Sequence, residues 1–71
     1  MKCMIKAYET KLNGRYRLFP AKSRSKHIEG RVVAFKGAQP IFSYYEPRMN
    51  TDRIVDDVDI HENVQIIGDH D

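Results

Sequence analysis

Seventy-one residues, of which 41% are hydrophobic and 31% charged, allow one small domain with a thin core and leave little room for an enclosed active site. No run approaches the roughly 18 apolar residues of a membrane span, and the single cysteine, Cys3, excludes an internal disulfide and a cysteine-built zinc site. The net charge of +2 conceals a split: residues 1–40 carry ten Lys/Arg against two Asp/Glu, residues 41–71 carry two against eight, so +8 is joined to −6.

Lys2, Lys6 and Lys11 interrupt any apolar leader at the N-terminus. Small domains without disulfides suit reducing compartments, so the expectation is a soluble, cytoplasmic protein. One β domain over 1–68 with a frayed tail at 69–71 is the expected organisation. Cys3 reads as a small hydrophobe in the first strand rather than a reactive thiol.

Asn13-Gly14 is a strong hairpin signal, because a type I′ turn needs positive φ at both central residues. It predicts a hairpin between Cys3–Lys11 and Arg15–Phe19. In the second segment Tyr16 and Leu18 alternate with Arg15 and Arg17, the pattern of a half-buried strand with a basic outer face. Pro20 removes a ladder donor and ends it. Residues 21–28 read as a basic loop, with Lys22, Arg24 and Lys26 spaced by serines.

Arg31–Lys36 is the next strand. Regular alternation sets Arg31, Val33 and Phe35 on one side and Val32, Ala34 and Lys36 on the other. The bulkier Val33 and Phe35 are expected in the core, and Arg31 and Lys36 are expected to face opposite ways. Gly37–Pro40 reads as a turn and Ile41–Tyr45 as an aromatic strand closed by Pro47. Near 50–58, Asn50 or Thr51 can cap a short helical turn that places Ile54, Val55 and Val58 on one face. The same β-branched residues also suit a strand. Val64–Ile67, ended by Gly68, is the last strand.

The expected fold class is all-β: a small five-stranded antiparallel barrel or curved sheet of SH3-like order, with a short helical turn near 50–58. The alternative is an α+β fold with a true helix at 50–58 on a four-stranded sheet.

Function follows from the basic stretch. Arg15, Arg17, Lys22, Arg24 and Lys26, joined by Arg31 or Lys36, form a candidate phosphate-binding surface, since counterion release scales with the phosphates neutralised. Tyr16, Phe19, Tyr44 and Tyr45 are candidate stacking platforms. The leading expectation is a non-enzymatic, sequence-tolerant module binding DNA or RNA. The plainer reading is a solvated strand face that blocks edge pairing.

A second function class is a protein-interaction module, regulatory inhibitor or homodimer. It would use the acidic 52–62 region (Asp52, Asp56, Asp57, Asp59 and Glu62) and the Tyr44-Tyr45 edge, where Tyr44 and Tyr45 point to opposite faces and Tyr45 is the candidate contact. A third is a structural accessory subunit. Asp57, Asp59 and His61 alternate as metal ligands on a strand would, but the EF-hand spacing and glycine are missing. No nucleophile-elbow or Gly-rich phosphate loop is present, and no cofactor is implied.

Overall fold

A computed structural model describes residues 3–19 and 27–70. Six strands build one antiparallel sheet: β1 Met4–Lys6, β2 Arg15–Leu18, β3 Ile28–Lys36, β4 Gln39–Glu46, β5 Thr51–Val55 and β6 Asn63–Gly68. Their order across the sheet is β1-β6-β2-β3-β4-β5. The expected all-β class is seen, with six strands in place of five. Among the described residues β1 and β5 are its two edges, and they are not paired with each other.

The core lies on the inner face of the curled sheet. Tyr16, Leu18, Val32, Phe42, Val55 and Val64 supply it from five strands, and Ala7 joins them from a 3₁₀ turn at Ala7–Glu9. The register explains the assembly. Leu18 lies opposite Val64, and Val32 lies opposite Phe42, which lies opposite Val55. Tyr16 and Phe42 meet edge to face at 6.3 Å and 79°, a favourable aromatic geometry. The Tyr16 hydroxyl accepts the Lys11 N–H at 2.9 Å and shares a 2.7 Å hydrogen bond with Nδ1 of His70. Burial holds its phenol above the ordinary tyrosine range, and the Lys11 N–H offsets part of that rise.

The 3₁₀ turn caps one end of this core. The Glu9 carboxylate reaches back to the Lys6 N–H at 2.8 Å. The Ala7 and Tyr8 N–H groups donate to the carbonyls of Glu62 and Ile60. Val58 packs on the core, and its carbonyl accepts the Gln39 side-chain amide at 2.6 Å. The segment 56–62 is thereby tied to the inner side of the sheet.

Several expectations are corrected. Asn13-Gly14 does not close a hairpin: β1 pairs with β6, and β6 separates β1 from β2. The turn is Lys11–Gly14, with the Gly14 N–H donating to the Lys11 carbonyl and positive φ at Asn13 alone. Cys3 is exposed and precedes β1. Pro40 is a buried β4 residue opposite Phe35, not part of the turn. Because β5 begins pairing only at Phe42, β4 is locally an edge at Pro40 and tolerates the missing donor.

Over Arg31–Val33 the core face of β3 is the other one, whereas Phe35, opposite buried Pro40, is on the expected inner side but at its rim. Val32 is fully buried, whereas Val33 is 44% exposed and Phe35 39%. Arg31 shares the side of Val33, and a charge cannot be drawn inward with it. A bulge between Val32 and Ala34 then shifts the alternation. The helical turn expected near 50–58 is instead β5, which pairs Thr51–Val55 with Phe42–Glu46. Pro47–Asn50 makes the preceding turn, with positive φ at Asn50. β-branching at Thr51, Ile54 and Val55 favours the extended backbone once β4 offers a ladder. The α+β alternative falls with it.

Candidate functional site

Tyr16 and Leu18 point inward, so Arg15 and Arg17 stand on the outer face of β2, as their alternation requires. Pairing places Arg15 directly opposite Arg31 on β3, and Arg31 opposite Ser43 on β4. Directly opposed residues hold their β-carbons about 4.5–5.5 Å apart. Two guanidinium groups therefore share one patch of surface. Arg15 has only a long contact to Asp69, 3.5 Å between Nε and Oδ2. Among the described residues Arg31 makes no ion pair.

Arg17 is differently placed. Its Nη2 lies 2.6 Å and its Nε 3.2 Å from one oxygen of Glu29, its cross-strand partner. This paired guanidinium is the main reason the Glu29 carboxyl sits below the usual carboxylate range; His27 and Arg15 add to the effect, and slight burial opposes it. The contact stabilises the fold above the ordinary carboxylate pKa, and the contribution is lost as pH falls through the lowered value. In Arg17→Gln the Glu29 titration, followed by carboxyl NMR, is expected to move up toward the ordinary range; an unmoved titration would contradict this assignment.

A concavity of about 340 Å³ opens beside Arg15 and Arg31. Arg15, Arg31, Glu29, Ser43, Tyr45 and Asp52 contribute to its walls. Tyr45 is 54% exposed and lies directly opposite Asp52 on β5. The Tyr45 hydroxyl donates to Oδ1 of Asn50, which tethers the far end of the ring. Exposed Val33 and Ile54 complete an apolar margin on the same side of the sheet.

The remaining expected residues divide. The bulge in β3 returns Lys36 to the outer side: Arg31 pairs with Ser43 and Lys36 with Gln39, four residues apart on β4 and so on one face. The regular alternation that separated Arg31 from Lys36 is thus corrected. Tyr16, expected as a stacking platform, is fully buried with its hydroxyl committed. Tyr44 is half-buried and follows Phe42 on the inner side, opposite Arg53. Of the four candidate platforms, Tyr45 and Phe19 keep large exposed rings. Lys22, Arg24, Lys26 and the strand-ending Pro20 lie outside the described residues.

Asp56, Asp57, Asp59 and Glu62 are all exposed on the segment 56–62. That segment is not a strand, so Asp57, Asp59 and His61 do not line up as alternating ligands. The Asp59 carboxylate instead accepts the His61 N–H at 2.8 Å. Among the described residues no group of three or more His, Cys, Asp or Glu side chains is arranged to hold a metal ion. None of residues 56–62 lines the concavity, although Asp52 of the acidic half does. Asp69 and His70, expected to fray, contact Arg15 and Tyr16; Asp71 lies outside the described residues.

No helix among the described residues is long and apolar enough to cross a membrane. No family model, curated protein or solved structure matches the chain.

Proposed function

We propose that the outer face of the sheet is a non-enzymatic, sequence-tolerant nucleic-acid-binding surface on which Arg15 and Arg31 contact phosphate. One observation carries this reading: the two arginines are direct cross-strand partners. Like charges directly opposite one another destabilise a sheet, and a bound polyanion turns that cost into a favourable interaction. Arg geometry suits phosphate oxygens. Lys36 adds a third cation on the same side. Lys22, Arg24 and Lys26 add three more in the sequence that joins β2 to β3. Such a module belongs with nucleic acid in a reducing, cytoplasmic compartment, which also suits the exposed free thiol of Cys3.

A salt titration of binding to labelled oligonucleotides tests it. With about four phosphates neutralised, log K is expected to fall against log salt with a slope near −3.6 on duplex DNA or −2.8 on a single strand. Arg15→Glu with Arg31→Glu is expected to abolish binding, while Asp56→Lys with Asp59→Lys leaves or strengthens it. Absence of binding, or binding indifferent to salt, would sink the proposal.

Exposed Val33, Tyr45 and Ile54 favour a second reading, a protein partner or a second copy seated on the same face. Asp52, opposite Tyr45, would then supply the acidic contact at that face, because the segment 56–62 is tied to the inner side of the sheet. Under that reading Ile54→Asp disrupts a complex seen by size-exclusion chromatography, and the arginine reversals matter less.

A further inference from the structure

We infer that the concavity beside Arg31 is a pocket for one unpaired guanine base, with Asp52 as the residue that selects it. The inference rests on the nucleic-acid reading of this face and adds the ligand. Three features converge on it. The first is volume: about 340 Å³ falls at the lower end of small-ligand pockets. The second is a platform: Tyr45 is the exposed aromatic ring of the wall, and its hydroxyl is tethered to Asn50, so the ring is held for stacking.

The third is a carboxylate. Glu29 is engaged by Arg17 at 2.6 Å. Asp52 is a second acid on the wall, directly opposite Tyr45. A base stacked on Tyr45 would thus have a carboxylate along its edge. An ionised carboxylate only accepts hydrogen bonds, through two oxygens. Guanine presents two adjacent donors, N1–H and the N2 amino group, and matches both oxygens. Adenine and cytosine each offer one donor beside an acceptor, and thymine or uracil one donor flanked by two acceptors. Those acceptors would face the carboxylate unpaired, at a cost. In a duplex the same edge of guanine is occupied by its pairing partner, so the pocket takes an unpaired base. Arg15 and Arg31, which line the same concavity from β2 and β3, would meet the phosphates that flank it.

The test is fluorescence anisotropy on labelled single-stranded oligothymidylates carrying one central guanine, inosine, adenine or cytosine, at one fixed salt concentration. Guanine is expected to bind about tenfold or more tighter than adenine or cytosine. Inosine, which lacks the N2 amino group, is expected in between. Asp52→Asn places a donor where an acceptor stood, and is expected to erase the guanine preference, read as the ratio of guanine-strand to adenine-strand affinity, while the lost negative charge tightens every strand alike. Tyr45→Leu is expected to weaken every strand about tenfold.

Equal binding of the guanine and adenine strands, or a preference that survives Asp52→Asn, overturns the pocket and leaves the phosphate-binding face standing. No binding of any strand overturns both. Competition by free guanosine monophosphate separates the two sources of the same chemistry: a mononucleotide as strong as the strand assigns the pocket to free nucleotide, and a much weaker one assigns it to the strand. In either arm guanosine monophosphate must compete better than adenosine monophosphate, and failure to do so counts against the pocket.

Discussion

Phe42→Ala is expected to remove roughly half or more of the domain's folding stability. Phe42 is fully buried, and its cross-strand neighbours Val32 and Val55 are buried with it. Truncating such a ring costs about 3–5 kcal/mol. The lost edge-to-face contact with Tyr16 accounts for about 0.5–1.5 kcal/mol of that cost. A chain of this length has about 4–10 kcal/mol of total stability. The substitution therefore removes roughly half of it, and nearly all of it at the lower end of that range. Thermal and urea unfolding followed by circular dichroism give the measurement. Phe42→Leu, which keeps most of the volume, is expected to lose about 1 kcal/mol and remain folded. A Phe42→Ala protein melting within a few degrees of the parent would show that the core lies elsewhere.

Gly14→Ala is expected to be costly for a reason that backbone conformation does not supply. Gly14 does not have positive φ; Asn13 does. A β-carbon at Gly14 would instead stand 2.5 Å from the Tyr16 hydroxyl oxygen and 2.8 Å from two ring carbons. The ring cannot step aside, because it is buried and its hydroxyl is held by Lys11 and His70. The methyl group must displace the ring or the Lys11–Gly14 turn, at about 1–3 kcal/mol for overpacking, with further loss where the hydroxyl bonds break. Gly68→Ala is the matched control. Its β-carbon would lie 2.8 Å from the Arg15 guanidinium, the half-exposed end of a flexible chain that can swing into solvent. Its expected cost is within about 0.5 kcal/mol. Urea midpoints of the two variants decide the matter. Equal midpoints would mean that the Tyr16 ring is not held against the turn.

Much of the sheet was legible because its alternation is clean. Arg15-Tyr16-Arg17-Leu18 allows one inner and one outer face, and the structure has them. The same alternation already places Tyr16 away from Arg15 and Arg17, so its burial could have been read and its role as a stacking platform refused. Arg31 carried the parallel signal for Val33. The bulge in β3 was not legible, because one extra residue leaves no mark in composition. Nor was the pairing of Arg15 with Arg31, since the intervening connection does not fix a register. The concavity depends on that register, together with the Tyr45–Asp52 pairing that the helical expectation for 50–58 hid. Asn13-Gly14 misled for a different reason. The dipeptide suits several turns, and the partner strand that decides among them, β6, lies at the other end of the chain.

The insertion of β6 between β1 and β2 also sets a timetable. Strands β2 to β5 pair each with the next, so that part of the sheet can zip from neighbouring sequence. Among the described residues β1 pairs with β6 alone, through contacts such as Ile5 with Val64. Closing so long a loop carries an entropic cost before any pairing is gained. On a ribosome β1 must wait for residues 63–65, with its ladder groups unpaired in the meantime. Sheet order thus makes the β1–β6 ladder the one with the longest loop to close, whereas β2 to β5 need only neighbouring sequence.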